Sequence, residues 1–412
     1  MTALYKVISQ GYILSFLNII NGVALYIYHV YLGENIDLSD FSLLVVILSL
    51  YSIFISPFEC IEKITSTYVI KLNNGLSHLN DFKLIIGKII LLILIYTFVL
   101  YCISGIVFSV TNLNRENYLY LISISFTAIL SIIFYGIFQG IEKYYLYSSI
   151  KILSAVLRIA FVWIVIEIYK NNNINIILLS LLTSNVIILF ILIIALKINL
   201  NLLNINKLTL ISSKNLKILP LIIIPVINTI YIQSDNIIIN KNFDTITASN
   251  FAVSSTLSKG IVYLTAGFSL IIYPYFLRNF VRNIPSHFVL YKLLIFNFVI
   301  LLVCSSLIFI FADVFIQTLF SKNNYIMSSS FLQYYPLTFI PFSLMTLCEN
   351  YLVAEAKYKF VKYYIILLIF QIFISYNFIT SISIFMAWNF IIGTILFFIL
   401  LLEIRSDKLS SL

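Results

Sequence analysis

The chain has 412 residues, of which 61% are hydrophobic and only 10% are charged, and its mean hydropathy is +1.06. A soluble domain carries about 25% charged residues, so this composition excludes a water-soluble protein and indicates that lipid is the solvent for most of the chain. The four cysteines lie far apart in apolar runs and the three histidines form no cluster, so the sequence predicts neither a disulfide framework nor a metal site. The net charge is +9. In a membrane protein such positive charges indicate which loops lie on the cytoplasmic side, so we expect no nucleic-acid partner.

Apolar runs of about 20 residues, each long enough to cross a bilayer as a helix, recur along the whole chain. The twelve predicted spans are residues 12–33, 40–70, 84–110, 117–139, 146–168, 174–196, 215–240, 246–277, 288–312, 327–353, 358–377 and 380–402. Within the second span, Pro57 is expected to loosen the helix just before Glu59. The sequence therefore predicts an all-α polytopic membrane protein with twelve transmembrane helices.

Basic residues are concentrated at both termini and in the loops that follow even-numbered spans. The opposite loops hold only Arg115, Lys170, Lys241 and Lys322. Because positively charged loops stay on the cytoplasmic side, both termini are predicted to be cytoplasmic in a multi-pass protein.

Six spans precede a lysine-containing link and six follow it, so the sequence predicts two lobes. These are an N-terminal six-helix lobe at residues 1–200, a cytoplasmic link at 201–218 and a C-terminal six-helix lobe at 219–412. The turn Gly140–Tyr144 after the fourth span resembles the turn Ala354–Tyr358 after the tenth, which favours a parallel repeat. Two similar bundles suit an alternating-access transporter, although a channel or a structural scaffold has the same span count.

Charged side chains inside the spans are the first candidates for function, because one at the bilayer centre costs at least about 2.5–3.5 kcal/mol on insertion scales. The seventh span carries Gln233 and Asp235, and the eighth carries Ser258 and Lys259. Asp235 and Lys259 have two interpretations: an ion pair that fixes helix packing, or a cation offered to an anionic substrate beside an acid that holds the empty site or a coupling cation.

Two further spans carry polar candidates. Arg158 lies in the middle of the fifth span and is expected to face the interior of its lobe, where it contacts either substrate or a neighbouring helix. Asn18 and Asn21 share a face of the first span, where amide groups bind sugar hydroxyls or join helices. Nucleotide-binding, HExxH and GxSxG motifs are absent from the sequence, so we predict a protein that is not an enzyme, with no catalytic residue and no cofactor.

Four short segments carry a resemblance to a known family. They are Tyr231–Ile239, Phe138–Tyr144, Ile152–Ile159 with its embedded Arg158, and Tyr273–Pro274. Together they resemble Wzx-type O-antigen and lipid-linked oligosaccharide flippases of the multidrug/oligosaccharidyl-lipid/polysaccharide (MOP) exporter superfamily. The resemblance implies two six-helix lobes that form a V-shaped central cavity. It also implies that the protein moves an undecaprenyl-pyrophosphate-linked glycan, an O-antigen or capsule repeat unit, across the bacterial inner membrane during polysaccharide biosynthesis.

The resemblance also implies roles for individual residues. Lys259 matches a cavity cation for the pyrophosphate, Asp235 matches the acidic position of the seventh span, and Arg158 matches a basic residue of the fifth span. Asn18, Asn21, Gln233 and Ser258 would then bind sugars. The first span lacks the basic residues of the family's cationic cavity. The implied partners are membrane lipid, a polysaccharide polymerase and a chain-length regulator. The alternatives are a cation-coupled multidrug exporter of the same superfamily, or a polysaccharide polymerase or polyprenyl-dependent glycosyltransferase.

Overall fold

The structure, a computed structural model, describes residues 2–73, 79–111, 113–141, 143–170, 172–199, 218–281, 287–320, 325 and 327–410. In these segments the chain is built from helices joined by short turns. The helices are α1 Thr2–Asn35, α2 Leu38–Ile55, α3 Glu59–Asn73, α4 Leu79–Cys102, α5 Ser104–Val110, α6 Arg115–Gly140, α7 Tyr144–Trp163, α8 Ile174–Asn199, α9 Ile218–Asn242, α10 Thr245–Val281, α11 His287–Leu319, α12 Ser328–Ala354, α13 Val361–Asn377 and α14 Ile382–Ser410.

The helices have the length and the composition of membrane spans. Among the described residues, eight helical segments are long and apolar enough to cross a bilayer, and Ile86–Cys102 and Val361–Asn377 are shorter apolar helices. Within the described residues, every predicted span overlaps one helix or two consecutive helices. The prediction of an all-α polytopic membrane protein is therefore confirmed.

The second predicted span is interrupted where the sequence places proline. A 3-10 turn at Ser56–Phe58 separates α2 from α3, with Pro57 in its first turn. Proline has no N–H to donate to the preceding turn, and its ring crowds the carbonyl four residues back. The third predicted span is also divided, because α4 ends at Cys102 and α5 begins at Ser104.

Two compact units account for the described helices. One comprises residues 1–42 and 238–412, and the other comprises residues 43–237. The first unit therefore contains α1 together with α10–α14, a grouping that differs from the lobe boundaries drawn from the sequence at 200 and 219. Residues 201–217 of the predicted link lie outside the described residues, and the predicted lobe boundaries stay a prediction.

Within the unit of residues 43–237, α6 packs closely against α3 through two glycines. A Cβ atom at Gly136 would overlap the Thr65 side chain and lie 2.6 Å from the Glu62 carbonyl oxygen. A Cβ atom at Gly140 would lie 2.6 Å from the Cβ of Val69. Small residues let helix backbones approach each other closely inside a membrane, and the four-residue spacing puts both glycines on one face of α6.

In the other unit, α10 packs against α1 and α12, and α12 packs against α11 and α14. Phe251 of α10 lies at the centre of an aromatic cluster, with ring centroids 5.0 Å from Tyr335 and 5.9 Å from Phe385. The near-perpendicular arrangement of Phe251 and Phe385 is the edge-to-face geometry that aromatic pairs prefer. These contacts join α10, α12 and α14 into one core.

The two turns that resemble each other in sequence also share backbone hydrogen bonds. The Lys143 N–H donates to the Phe138 carbonyl after α6, and the Lys357 N–H donates to the Leu352 carbonyl after α12, both at 2.9 Å. Each bond spans five residues, which is the six-to-one bond of a Schellman C-cap. Ala356 takes the left-handed conformation at φ 56°. The two turns thus share a local C-cap, and the parallel repeat of the two halves stays a prediction.

Asp244 caps the first turn of α10 from outside the predicted spans. Its Oδ2 accepts from the Thr247 N–H at 3.1 Å, and hydrogen bonds from the side chain and backbone of Thr247 lower the pKa of Asp244 below its ordinary value. Because the pKa of Asp244 is lower in the folded protein than in the unfolded chain, the ionised carboxylate stabilises the fold above the ordinary pKa of aspartate, about 3.9. That stabilisation is lost as the pH falls through the lower, folded-state pKa.

Asp244→Ala is therefore expected to lower the melting temperature slightly at neutral pH, and to lower it less at an acidic pH below the lowered pKa of Asp244. Asp244→Asn, which keeps a capping oxygen but carries no charge, serves as the control and should lose less stability than Asp244→Ala at neutral pH. Thermal unfolding followed by size-exclusion chromatography measures both. An equal loss for Asp244→Ala at the two pH values would contradict the role of the ionised cap.

Candidate functional site

Lys259 lies on a buried, serine-rich part of α10. It is 8% exposed, and Ser255 and Ser258 are fully buried beside it. The Ser258 hydroxyl donates to the Ser254 carbonyl at 2.6 Å, and the Ser254 hydroxyl donates to the Ser328 carbonyl of α12 at 2.7 Å. The structure thus places a lysine deep in an apolar helix core, next to serines whose hydroxyls bond to helix carbonyls.

Asp235 lies on α9 and is 1% exposed. Its Oδ1 accepts from the Asn236 N–H at 2.7 Å. The Asn236 side chain donates to the Ser49 hydroxyl, which donates in turn to Gln233 Oε1, both at 3.3 Å. Gln233 therefore takes part in a polar contact between α9 and α2 within the unit of residues 43–237.

Asp235 belongs to the unit of residues 43–237, and Lys259 belongs to the other unit. Each is a buried ionisable group in a long helix, and Asp235 lies in the candidate membrane span Ile222–Asn242. Buried ionisable groups inside a membrane mark substrate and ion pathways. The pairing of Asp235 with Lys259 stays a prediction.

Arg158 on α7 contacts two neighbouring helices. Its Nη2 donates to Asn185 Oδ1 of α8 at 3.2 Å and to the Tyr51 hydroxyl of α2 at 3.4 Å. Among the described residues, Arg158 Nε and Asn185 Nδ2 are buried donors without a hydrogen-bond partner. The guanidinium therefore holds α7 to α8 and α2 and keeps one N–H available for a further acceptor.

A second polar cluster lies on the same face of α7. The Tyr147 hydroxyl donates to Glu62 Oε1 of α3 at 2.8 Å, and Lys151 Nζ donates to the Tyr147 hydroxyl. Lys151 Nζ also lies 5.2 Å from the centre of the Tyr135 ring on α6, within the range of a cation–π contact. Glu62, Tyr147 and Lys151 therefore form one chain of contacts from α3 to α7.

The whole chain is similar to solved transporters. No family model and no curated protein matches the sequence. A mutant of the Vibrio cholerae MATE transporter VcmN matches 100% of this chain and 99% of its own at 12% identity, with a TM-score of 0.68. An inward-facing multidrug resistance MATE family transporter of the MOP superfamily matches 95% of this chain and 96% of its own, with a TM-score of 0.70 and 12% identity. The eukaryotic MATE transporter AtDTX14 matches 97% and 96% at 11% identity, with a TM-score of 0.62.

The chain has the MATE fold. The similarity extends over nearly the full length of both partners, so the MATE fold accounts for both units rather than for a fragment. At 11–12% identity this likeness shows the fold alone, and membership of the MOP superfamily and of its Wzx-type branch stays a prediction.

The two remaining predicted site residues, Asn18 and Asn21, lie on α1. Asn21 is half-buried on α1, and the side chain of Asn18 lies outside the described residues. Their predicted contacts with sugars stay predictions, as do the substrate-binding roles of Lys259, Asp235, Arg158, Gln233 and Ser258.

Sequence reasoning missed the cluster of Glu62, Tyr147 and Lys151. The available signal was the seven-residue spacing of Lys151 and Arg158, which puts two cations on one face of α7 in two turns. The sequence does not show which helix contacts that face of α7, so the contact with Glu62 of α3 could not be predicted.

Tyr147→Phe is expected to destabilise the protein by about 1 kcal/mol, because the change removes the hydroxyl that the half-buried Glu62 and Lys151 side chains share. Tyr145→Phe is the matched control, because Tyr145 is 50% exposed two positions away and should change stability by less than about 0.5 kcal/mol. Thermal unfolding in detergent compares the two. Equal melting temperatures for the two variants would contradict the structural role of the cluster.

Proposed function

We propose that the chain is a membrane exporter that moves its substrate by alternating access. The observation that carries the proposal is the full-length likeness to MATE transporters, which covers 95–100% of this chain. The sequence contains no nucleotide-binding motif. The energy source of the proposed exporter is then an ion gradient, or removal of the product on the far side of the membrane.

The first substrate class is that of a cation-coupled multidrug exporter. Two of the solved neighbours are named as multidrug resistance MATE family transporters, one inward-facing and one outward-facing. The comparisons support this substrate class better than the lipid-linked glycan. Asp235 would bind the cation in this class, since a buried carboxylate in a membrane helix attracts an organic cation, a proton or a metal cation.

The second substrate class is an undecaprenyl-pyrophosphate-linked oligosaccharide, moved from the cytoplasmic leaflet to the outer leaflet. The observation that favours it is the buried cation Lys259, 8% exposed within α10. A pyrophosphate head is anionic, and crossing bare hydrocarbon is prohibitively unfavourable for it. A cavity cation would attract this head while the polyprenyl tail stays in the bilayer, and amide groups such as Gln233 would bind sugars.

The experiment that tests the proposal is deletion of the gene in its host, followed by complementation. Susceptibility to cationic drugs, surface polysaccharide and the sidedness of lipid-linked intermediates are measured in the same strains. Drug hypersensitivity that the wild-type gene reverses supports the multidrug exporter. Loss of surface polymer with complete repeat units held on the cytoplasmic face supports the flippase.

Complementation with Lys259→Met separates the two classes, because the lysine is needed only for an anionic substrate. Lys170→Met is the control, since the Lys170 side chain is 75% exposed. Single translocated repeat units left unpolymerised would support the polymerase alternative. A deletion strain with unchanged drug susceptibility and unchanged polysaccharide would contradict the proposal that the chain is an exporter.

A further inference from the structure

An apolar groove lies within the unit of residues 1–42 and 238–412, between α1, α10, α11 and α12. Its volume is about 310 Å³. The wall from α10 includes Leu257 and Ile261, and the wall from α11 includes Cys304 and Ile308. Among the described residues that line it, none is charged, and Tyr26 of α1 supplies a hydroxyl.

Two irregular features widen the groove. Gly260 of α10 lines it, and a Cβ atom there would meet nothing within 4 Å. Helix α11 is kinked at Phe311, where φ is −104° and ψ is 16°, between the lining residues Ile308 and Phe315. A missing side chain on one wall and a bent opposite wall together leave space that regular helix packing would close.

The groove opens on an apolar surface. Two of its lining residues on α11, Leu307 and Phe315, are 48% and 39% exposed. The same helix exposes further large apolar side chains, among them Val303 and Ile310. Because α11 is a membrane-spanning segment by length and composition, this surface faces lipid hydrocarbon, and hydrocarbon is the medium at the mouth of the groove.

We propose that the groove binds one acyl chain of a bilayer phospholipid. The described lining residues offer dispersion contacts and neither an ionic nor an amide partner, which suits a methylene chain and does not suit water or a charged ligand. The open side continues into the hydrocarbon phase, so the lipid head group stays at the membrane surface while its chain enters between α10 and α11. None of the described lining residues is one of those proposed above for the substrate, and occupancy of the groove is measured without any transport assay.

The test uses the full-length protein in nanodiscs of phosphatidylethanolamine and phosphatidylglycerol, doped with phospholipid that carries a diazirine on one acyl chain. After illumination, mass spectrometry maps the labelled peptides. We expect labelling of the α11 peptide around Cys304, and a decrease of about tenfold in Gly260→Leu, whose added side chain fills the groove. Gly105→Leu is the matched control, because a Cβ at Gly105 also meets nothing within 4 Å and Gly105 lies outside the groove.

If Gly260→Leu does not fold, Leu307→Trp, which narrows the mouth of the groove, tests acyl-chain binding in its place. Its control is Leu302→Trp, since Leu302 is 44% exposed on the same helix and does not line the groove. Undiminished labelling in the folded groove variants would overturn the proposal. Undecaprenyl phosphate or an apolar cationic drug is also added, at a concentration where added phospholipid has no effect on the label. If either one removes the label, the proposal is overturned, because the occupant is then a polyprenyl tail or a drug.

Discussion

Replacing Gly136 by leucine is expected to prevent the unit of residues 43–237 from folding correctly. The Cβ alone would overlap the Thr65 side chain and lie 2.6 Å from the Glu62 carbonyl oxygen, so α6 and α3 would have to separate. Overpacking of a well-packed core costs about 1–3 kcal/mol and occasionally more, and here one side of the overlap is backbone. Separation of α3 from α6 would also disturb the buried cluster to which Ile61 of α3 and Ile133 and Ile137 of α6 belong.

The control for Gly136→Leu is Gly105→Leu, since the space around Gly105 is open. The yield of monodisperse protein and its melting temperature in detergent are the measurements. The structure predicts a large loss of yield for Gly136→Leu and a yield close to wild type for Gly105→Leu. If Gly136→Leu gave folded protein with the wild-type melting temperature, the close contact of α3 with α6 would be wrong.

Asp235→Asn is expected to lower transport strongly while the protein still folds. Asparagine keeps the shape of aspartate and its acceptor for the Asn236 N–H, but it carries no charge. In the exporter proposed above, this carboxylate would bind an organic cation, or would hold the empty site or a coupling cation. Loss of one partner of a buried charge pair costs about 2–5 kcal/mol, so we expect apparent affinity to fall about thirtyfold or more.

The matched control is Asp313→Asn, the same chemical change at an exposed position in α11. It should leave transport within about twofold of wild type, because exposed groups near span ends contribute little. Substrate transport is measured at several substrate concentrations with equal amounts of folded protein. Equal transport by Asp235→Asn and wild type would remove Asp235 from the site.

The fold was predictable to a large extent because apolar runs and prolines act locally. The predicted spans at 117–139 and 146–168 fall on the helices Arg115–Gly140 and Tyr144–Ile168. The break that Pro57 predicts is present as a 3-10 turn. The similar turns at Lys143 and Lys357 were also visible in the sequence, because a C-cap is formed by neighbouring residues.

The site was less predictable, because its contacts join helices that are distant in sequence. The sequence singles out Arg158 by its charge inside a span, but its partners Tyr51 and Asn185 are 107 and 27 residues away. The spacing of Gly136 and Gly140 shows a small-residue face, but not that α3 packs on it. Contacts of this kind depend on which helices are neighbours, and hydropathy carries no information on that point.

The most direct test of the proposed exporter is transport by the purified protein in proteoliposomes under an imposed ion gradient. Movement of a fluorescent organic cation and movement of a lipid-linked oligosaccharide are followed in the same preparation, with Asp235→Asn proteoliposomes as the reference. The proposal predicts that the wild-type protein moves one of these substrates about tenfold faster than the reference. Rates for both substrates equal to those of protein-free liposomes would contradict it.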